Sequence, residues 1–350
     1  MTNRPTSSVA SSSWAGQVGG FLVAGGALIR LGVALALTLA LALAAGWLAL
    51  RARAAAQPPP AVVADHAALG VNVALEQYAP EDLTRVLDRL QAARATWLRQ
   101  RFPWDAIEPR RGQFLWDPWD AIVEETAARG LHLIAVLDRS PVWARPPVDA
   151  GNPWAPPQER ADFGRFVAAF AGRYAGRIAA YQIWDEPNIA PHWGARPIDP
   201  GAYVGLLREG FYQARAADPS AVVLLAALAP NDEPGGANLG DLAFLDQVYA
   251  LGGRAWFDVV AAQPYGVADT PDPANPRGWG RAASLRAVME RHGDAATPLW
   301  VTAFGWNALP PGWSGAPSLW GQVDASTQAE FLRAAAAQGR RDWPWLGPML

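Results

Sequence analysis

From about His66 onward the chain alternates short, almost uninterrupted apolar runs with longer stretches whose apolar residues recur at helical spacing. The strand-like runs are ALGVNVAL, ATWLR, LHLIAVL, IAAYQIW, AVVLLAAL, FDVVAAQPY and PLWVTAFGW. The helix-period stretches are PEDLTRVLDRLQAA, WDAIVEETAARG, RADFGRFVAAFAGRYAG, GAYVGLLREGFYQARA, LAFLDQVYALG, RAASLRAVMERHG and STQAEFLRAAAAQG. A strand that is apolar along its whole length has no solvent-facing side, so it belongs in a parallel sheet covered by helices. Seven βα units and a remnant, over about 285 residues, suit a (β/α)8 barrel better than two Rossmann halves. No GxGxxG or phosphate-loop signature follows any run, which weakens the doubly wound alternative. The chain stops at WLGPML, where an eighth strand should begin, so the barrel is expected to be truncated at that strand, with strand edges and apolar surface left uncovered.

Ahead of the barrel, residues 31–50 read LGVALALTLALALAAGWLAL, twenty residues without a charge. At about 1.5 Å per residue this run matches a hydrocarbon core about 30 Å thick. A cleavable signal peptide is the rival reading, since Ala54 and Ala56 suit a small-residue cleavage site. The run exceeds the usual length of roughly 7–15 residues, and Arg51 and Arg53 interrupt the approach, which favours an uncleaved anchor. Arg4 and Arg30 on one side balance Arg51 and Arg53 on the other, so charge encodes orientation only weakly. An extracytoplasmic barrel is expected, because an N-terminal export signal has little other purpose. The expected order is a cytoplasmic or disordered segment over 1–30, a single-pass transmembrane helix or signal anchor over 31–50, a Pro-rich linker over 51–65 and the barrel over 66–350.

The formal net charge is −3, and the basic residues are all arginine and scattered, so no basic face for nucleic acid can be drawn. Cysteine is absent, which rules out disulfides and thiolate metal sites. His192, in APHWGA, has no second histidine at ligand spacing and reads as a solvated or hydrogen-bonded loop residue. No metal or other cofactor is expected.

In a barrel of this kind the site lies at the C-terminal ends of the strands. The fourth strand-like run leads into YQIWDEPN, where Glu186 would sit in a partly desolvated cleft that raises its pKa toward the range useful for proton donation. The plainer alternative is that Asp185 and Glu186 start a loop and cap a helix. Together IWDEPN, WLRQRFPWDAIEP, FDVVAAQPYG and LWVTAFGW resemble the clan A glycoside hydrolases, (β/α)8 retaining enzymes, and look closest to families 5 and 39, cellulase- or β-xylosidase-like. The resemblance runs from about Gly70 to the last residue. It implies that Glu186 is the general acid/base, Arg99 the strand 2 arginine and Tyr265 the strand 6 tyrosine near the nucleophile. Asp185 stands where the family has the asparagine that hydrogen-bonds the sugar 2-hydroxyl, and Gln263 where many relatives have histidine. An aspartate there accepts but cannot donate, and its charge should favour the protonated form of Glu186.

Retaining hydrolysis needs a second carboxylate about 5 Å from the first. The family keeps it at the end of strand 7 in T-E-F-G-W, and here that position is Ala303. A methyl group can neither form a glycosyl-enzyme nor stabilise an oxocarbenium ion, so normal retaining turnover is expected to be lost. Arg99 is expected to face the empty place unpaired and to attract an anion such as acetate, formate or a uronic acid carboxylate. Asp138, in VLDRSP, is the nearest substitute carboxylate by topology, while Glu108 reads as a loop residue paired with nearby arginines. Of the 18 tryptophans, Trp104, Trp143, Trp193, Trp306 and Trp313 fall in strand-end loops and are candidate sugar platforms. The expected function is a membrane-anchored glycoside hydrolase-like domain for β-linked glycans, impaired or inactive. A carbohydrate-binding pseudoenzyme and a structural cell-envelope domain without a ligand are the alternatives.

Overall fold

The computed structural model describes residues 66–350, together with Val33 and Thr38. Apart from these two residues, both helical, the apolar run 31–50 lies outside the described residues, as do the segments 1–30 and 51–65. Among the described residues no helix is long and apolar enough to cross a membrane.

Eight strands appear in order: β1 (Gly70–Val73), β2 (Trp97–Pro103), β3 (His132–Asp138), β4 (Ala180–Ile183), β5 (Val223–Leu224), β6 (Val260–Ala262), β7 (Leu299–Val301) and β8 (Leu346–Met349). Helices follow the first seven: α1 (Pro80–Ala92), α2 (Asp117–Ala128), α3 (Arg160–Arg173), α4 (Pro200–Ala217), α5 (Asp241–Ala250), α6 (Arg281–Arg291) and α7 (Ala325–Asp342). Each matches an expected run. Proline opens α1 and α4 where its missing N–H costs nothing, and Asp199 and Asp324 cap α4 and α7 by accepting from Ala202 N and Thr327 N.

Strands β1 to β5 form one parallel ladder and β6 to β8 another. Two parallel bridges join them into a closed ring. Leu224 pairs with Val259, where Leu225 N donates to Val259 O at 3.0 Å, and Leu69 pairs with Met349, where Met349 N donates to Ala68 O at 2.8 Å. The expected truncation is therefore corrected: the eighth strand forms and no ladder edge is left open there. Its sequence, LGPM, concealed it, because glycine and proline are rare inside strands. Pro348 needs no donor here, since Met349 and Leu350 supply the bonds to Ala68 and Val301. Gly347 is required by the Trp300 indole, which a Cβ at that position would meet at 2.2 Å. The uncovered apolar surface is present. Leu69 and Val71 line a groove of about 720 Å³ on the outside of β1, between α1 and α7.

Period-2 alternation along β2 sorts its side chains into two environments. Leu98 and Phe102 pack outward against the helices, whereas Trp97 joins Ile134, Ala180, Leu224, Val259 and Trp300 in the interior cluster. Trp97 and Trp300 meet edge to face at 5.0 Å. On the face of Trp97, Arg99 and Arg101 follow toward the C-terminal mouth, so the barrel interior passes from apolar to charged along one strand.

Candidate active site

At the end of β4 the chain leaves strand geometry abruptly. Trp184 and Glu186 both take positive φ, 69° and 49°, a region that costs a non-glycine residue about 1–3 kcal/mol. The surroundings fix this turn. Trp184 N donates to Leu137 O at 3.0 Å, Glu186 N donates to Ala227 O at 2.8 Å, and the buried Trp184 indole donates to His192 O at 2.9 Å. Asn188 staples the following loop to the β5 loop. Its amide donates to Ala229 O (2.8 Å) and Leu239 O (2.9 Å), and its oxygen accepts from Ala229 N (2.9 Å). The two acids open a loop, as the plainer reading has it, but cap no helix.

Asp185 is buried and clamped. Its Oδ1 accepts from Arg99 Nη2 (2.6 Å) and Gln182 Nε2 (2.8 Å), and its Oδ2 accepts from Arg101 Nη2 (2.7 Å). Both oxygens are thus occupied within the protein, at the position where the resemblance implies a sugar contact. Arg99 is not unpaired, contrary to expectation: it also donates to Gln182 Oε1 (2.9 Å) and Asn72 Oδ1 (3.0 Å). Asn72 in turn donates to Thr302 O (2.9 Å), beside Ala303, so the arginine is tied into the strand 7 end rather than left facing a void. Arg101 extends the array to Asp138 Oδ2 (2.9 Å). Sequence reasoning missed Arg101, although it follows Arg99 by two residues and so had to share its face.

Glu186 is 18% exposed, and its carboxyl is pushed up to about 7. Burial is the largest cause and the Asp185 charge the next, opposed by Arg99 and Arg101. Its Oε2 lies 3.3 Å from His192 Nδ1, which is also 3.3 Å from Asp185 O. A carbonyl can only accept, so Nδ1 carries the ring proton. Burial lowers the pKa of His192 and favours the neutral ring. The imidazole stacks on Trp154 at 4.8 Å and 6°, and the Arg101 and Arg139 guanidinium groups lie over the same indole at 4.8 and 5.0 Å. Neither His192 as a neighbour of the acid nor Trp154 was legible in sequence, since these contacts join separate loops.

Asp138, the nearest substitute carboxylate by topology, is buried, only 1% exposed; one oxygen is held by Arg101, and the other is buried without a partner among the described residues. Burial first, partly offset by Arg101, pushes its carboxyl up to about 6. Among the described residues Glu108 pairs with no arginine and instead accepts from Trp104 Nε1 (2.7 Å) and Gly112 N (2.7 Å).

Across the mouth, Tyr265 follows β6 and donates its hydroxyl proton to Gln263 Oε1 at 2.6 Å. Its phenol pKa is raised by burial and then by the charges of Glu186 and Asp185, which places it within electrostatic reach of the acid. Ala303 follows β7, half-buried. Most of the expected platforms are corrected: Trp104, Trp193 and Trp306 are core residues, at most 4% exposed. Trp104 falls in a helical turn after β2 and stacks on Phe166, and Trp306 donates Nε1 to Asp269 O. Trp143 is half-buried, edge-on to Trp104, with Arg111 over its ring at 4.5 Å. Trp313 is exposed. Trp320, partly exposed, lies 4.9 Å from the Tyr265 ring.

No family model matches the sequence, and no curated protein matches it. Solved structures do. A family 39 glycoside hydrolase from the gut symbiont Bacteroides cellulosilyticus WH2 is 21% identical, covering 83% of this chain and 58% of that one, with a TM-score of 0.59. A glucosidase from Croceicoccus marinus is 18% identical over 84% of this chain and 61% of its own, with a TM-score of 0.58. A GH10 protein from Paenibacillus barcinonensis is 16% identical over 83% and 85%, with a TM-score of 0.52. The chain spans about three-fifths of the length of the first two. It therefore has the parallel α/β barrel fold of the family 39 and family 10 glycoside hydrolases, which belong to clan A.

Proposed function

We propose that the chain is a glycoside hydrolase-like domain for β-linked glycans in which Glu186 is the proton donor and the place of the nucleophile is taken by Ala303. One observation carries this reading: a partly exposed carboxyl whose pKa is about 7 at the end of β4, with a methyl group at the end of β7. An acid half-protonated at neutral pH can deliver a proton to a leaving oxygen as the glycosidic bond breaks. No carboxylate stands at position 303 to attack the anomeric carbon from the other side, so the protein alone turns over slowly or not at all. Names of the structural neighbours point to glucosides or xylans as the substrate class.

The occupied oxygens of Asp185 favour a second reading, a carbohydrate-binding pseudoenzyme. A mature cleft that retains its arginine–carboxylate scaffold but lacks the nucleophile can still hold a glycan. Ala303→Glu separates the two. The substituted protein should hydrolyse aryl β-glycosides with retention of configuration if the site is otherwise competent, and a folded, glycan-binding but inert Ala303→Glu protein would favour the binding module.

The apolar run 31–50 supports an anchor that carries this domain outside the cytoplasm. The intact N-terminus should then be found in the membrane fraction. Soluble mature protein starting at Gln57 would contradict it.

A further inference from the structure

Most of the large apolar side chains left exposed on the barrel stand on the loops that follow its strands, which form its C-terminal face. Tyr78 follows β1, Leu115 follows β2, Val142 and Val148 follow β3, and Trp313, Leu319 and Trp320 follow β7. Strands β7, β8, β1, β2 and β3 are consecutive around the ring, since each ladder runs in chain order and Leu69 pairs with Met349. The apolar tips therefore occupy one arc of the rim. Among the described residues the loops after β4, β5 and β6 expose no large apolar side chain and instead hold Arg196, Asp232, Glu233, Asp269, Asp272 and Arg277 in solvent.

On the arc, residues 302–323 contain no charged side chain and no histidine, and Leu319 is 97% exposed. This loop is braced from within: Val323 N donates to Asn307 O at 3.0 Å, Trp313 Nε1 donates to Ala316 O at 3.1 Å, and the Trp320 ring rests 4.9 Å from that of Tyr265. Val148, 71% exposed, follows two prolines. Apolar surface left in water with a polar surround marks a contact. The tips are spread over four loops rather than gathered into one pocket, which suits a broad fluid surface better than a single ligand. Tryptophan and leucine beside arginine is the composition that settles at the headgroup level of a bilayer. Of the charges on the arc, Glu76 accepts from Gln100 and Arg111 is paired with Asp162, whereas the exposed Arg110 pairs with no acid among the described residues and is available to lipid phosphate. A span at 31–50 would also keep the barrel near one bilayer, because residues 51–65 reach at most about 50 Å. We infer that this arc docks on the surface of a lipid bilayer, with Val148, Trp313 and Leu319 entering the headgroup level and Arg110 meeting phosphate. The inference rests on the anchor proposed above and is independent of the glycan reading.

The chain has no cysteine, so one substitution carries one spin label. The full chain is labelled at Leu319→Cys, at Val148→Cys or, as a control, at Leu251→Cys, which is 54% exposed after α5 on the opposite face of the barrel. Each protein is reconstituted into vesicles of phosphatidylcholine and phosphatidylglycerol and recovered by flotation. The labels at 319 and 148 should relax severalfold faster with oxygen than with a water-soluble nickel chelate, and the label at 251 should do the reverse. Rim labels no different from the control, in protein that floats with the vesicles, would overturn the docking while sparing the anchor. Dipolar broadening between labels at 319, with nickel access as high as at 251, would put a second copy of the chain on the arc and overturn it as well. Protein left behind when the vesicles float would bring down both.

Discussion

Replacing Glu186 by glutamine should make the protein more stable at alkaline pH and leave it unchanged at acid pH. A carboxyl held near 7 in the folded protein, against an ordinary 4.5, binds its proton more tightly when folded than when unfolded. Its contribution to stability is complete below about pH 4.5 and is lost as pH rises through about 7. At about 1.36 kcal/mol per pH unit, the loss amounts to about 3 kcal/mol. Glutamine has nearly the same shape and is never charged, so it keeps that contribution at every pH. The difference between Glu186→Gln and wild type should therefore be near zero at pH 4 and about 3 kcal/mol in favour of the variant at pH 8. Asp138, also raised, adds a slope of the same sign to both proteins and cancels in the comparison. Urea unfolding at a series of pH values measures the difference. A constant difference across pH, or a variant less stable at pH 8, would refute the claim that the fold holds this carboxyl protonated.

Asp185→Asn removes the carboxylate shared by the mostly buried Arg99 and the one-third-exposed Arg101; because Arg99 keeps Gln182 and Asn72 and Arg101 keeps Asp138, the cost should be about 3 kcal/mol, a fall in Tm of about 6 °C. The same change removes the negative charge next to Glu186, so the Glu186 carboxyl should titrate at lower pH; an unchanged Tm in a thermal scan would contradict the clamp. Asn188→Ala strands the buried Ala229 N, while Ala229 O and Leu239 O keep the Asn231 amide, and should cost about 2 kcal/mol, read by chemical denaturation; Asn188→Asp should recover part of it through the bond to Ala229 N.

The alternation of apolar runs and helical stretches carried the fold, because a buried parallel strand and its covering helix each leave a pattern in their own residues. It failed at β8, where four residues containing glycine and proline pair through backbone groups that composition does not reveal. IWDEPN placed Glu186 and Asp185 correctly, since the end of a barrel strand is fixed by the strand itself. The partners of those acids were another matter. Arg101 was recoverable from the alternation of WLRQRF, but the stack of His192 on Trp154 and the cover of Trp320 over Tyr265 join loops far apart in sequence. Tryptophans in strand-end segments looked like platforms because a one-turn helix such as that at Trp104 leaves no periodicity to read. Packing decided their burial.

The central claim, a working acid facing an absent nucleophile, is tested most directly by azide and an aryl β-glycoside with a good leaving group. Azide is small enough to occupy the place of the missing side chain and needs no proton removed. Attack at the anomeric carbon expels the aryloxide, and a single displacement inverts the centre. The account predicts near-inertness alone, turnover that rises with azide, and an α-glycosyl azide as the product by NMR. Brisk hydrolysis without azide, with the β configuration retained, would show that another carboxylate does the work and that Ala303 is not the decisive change.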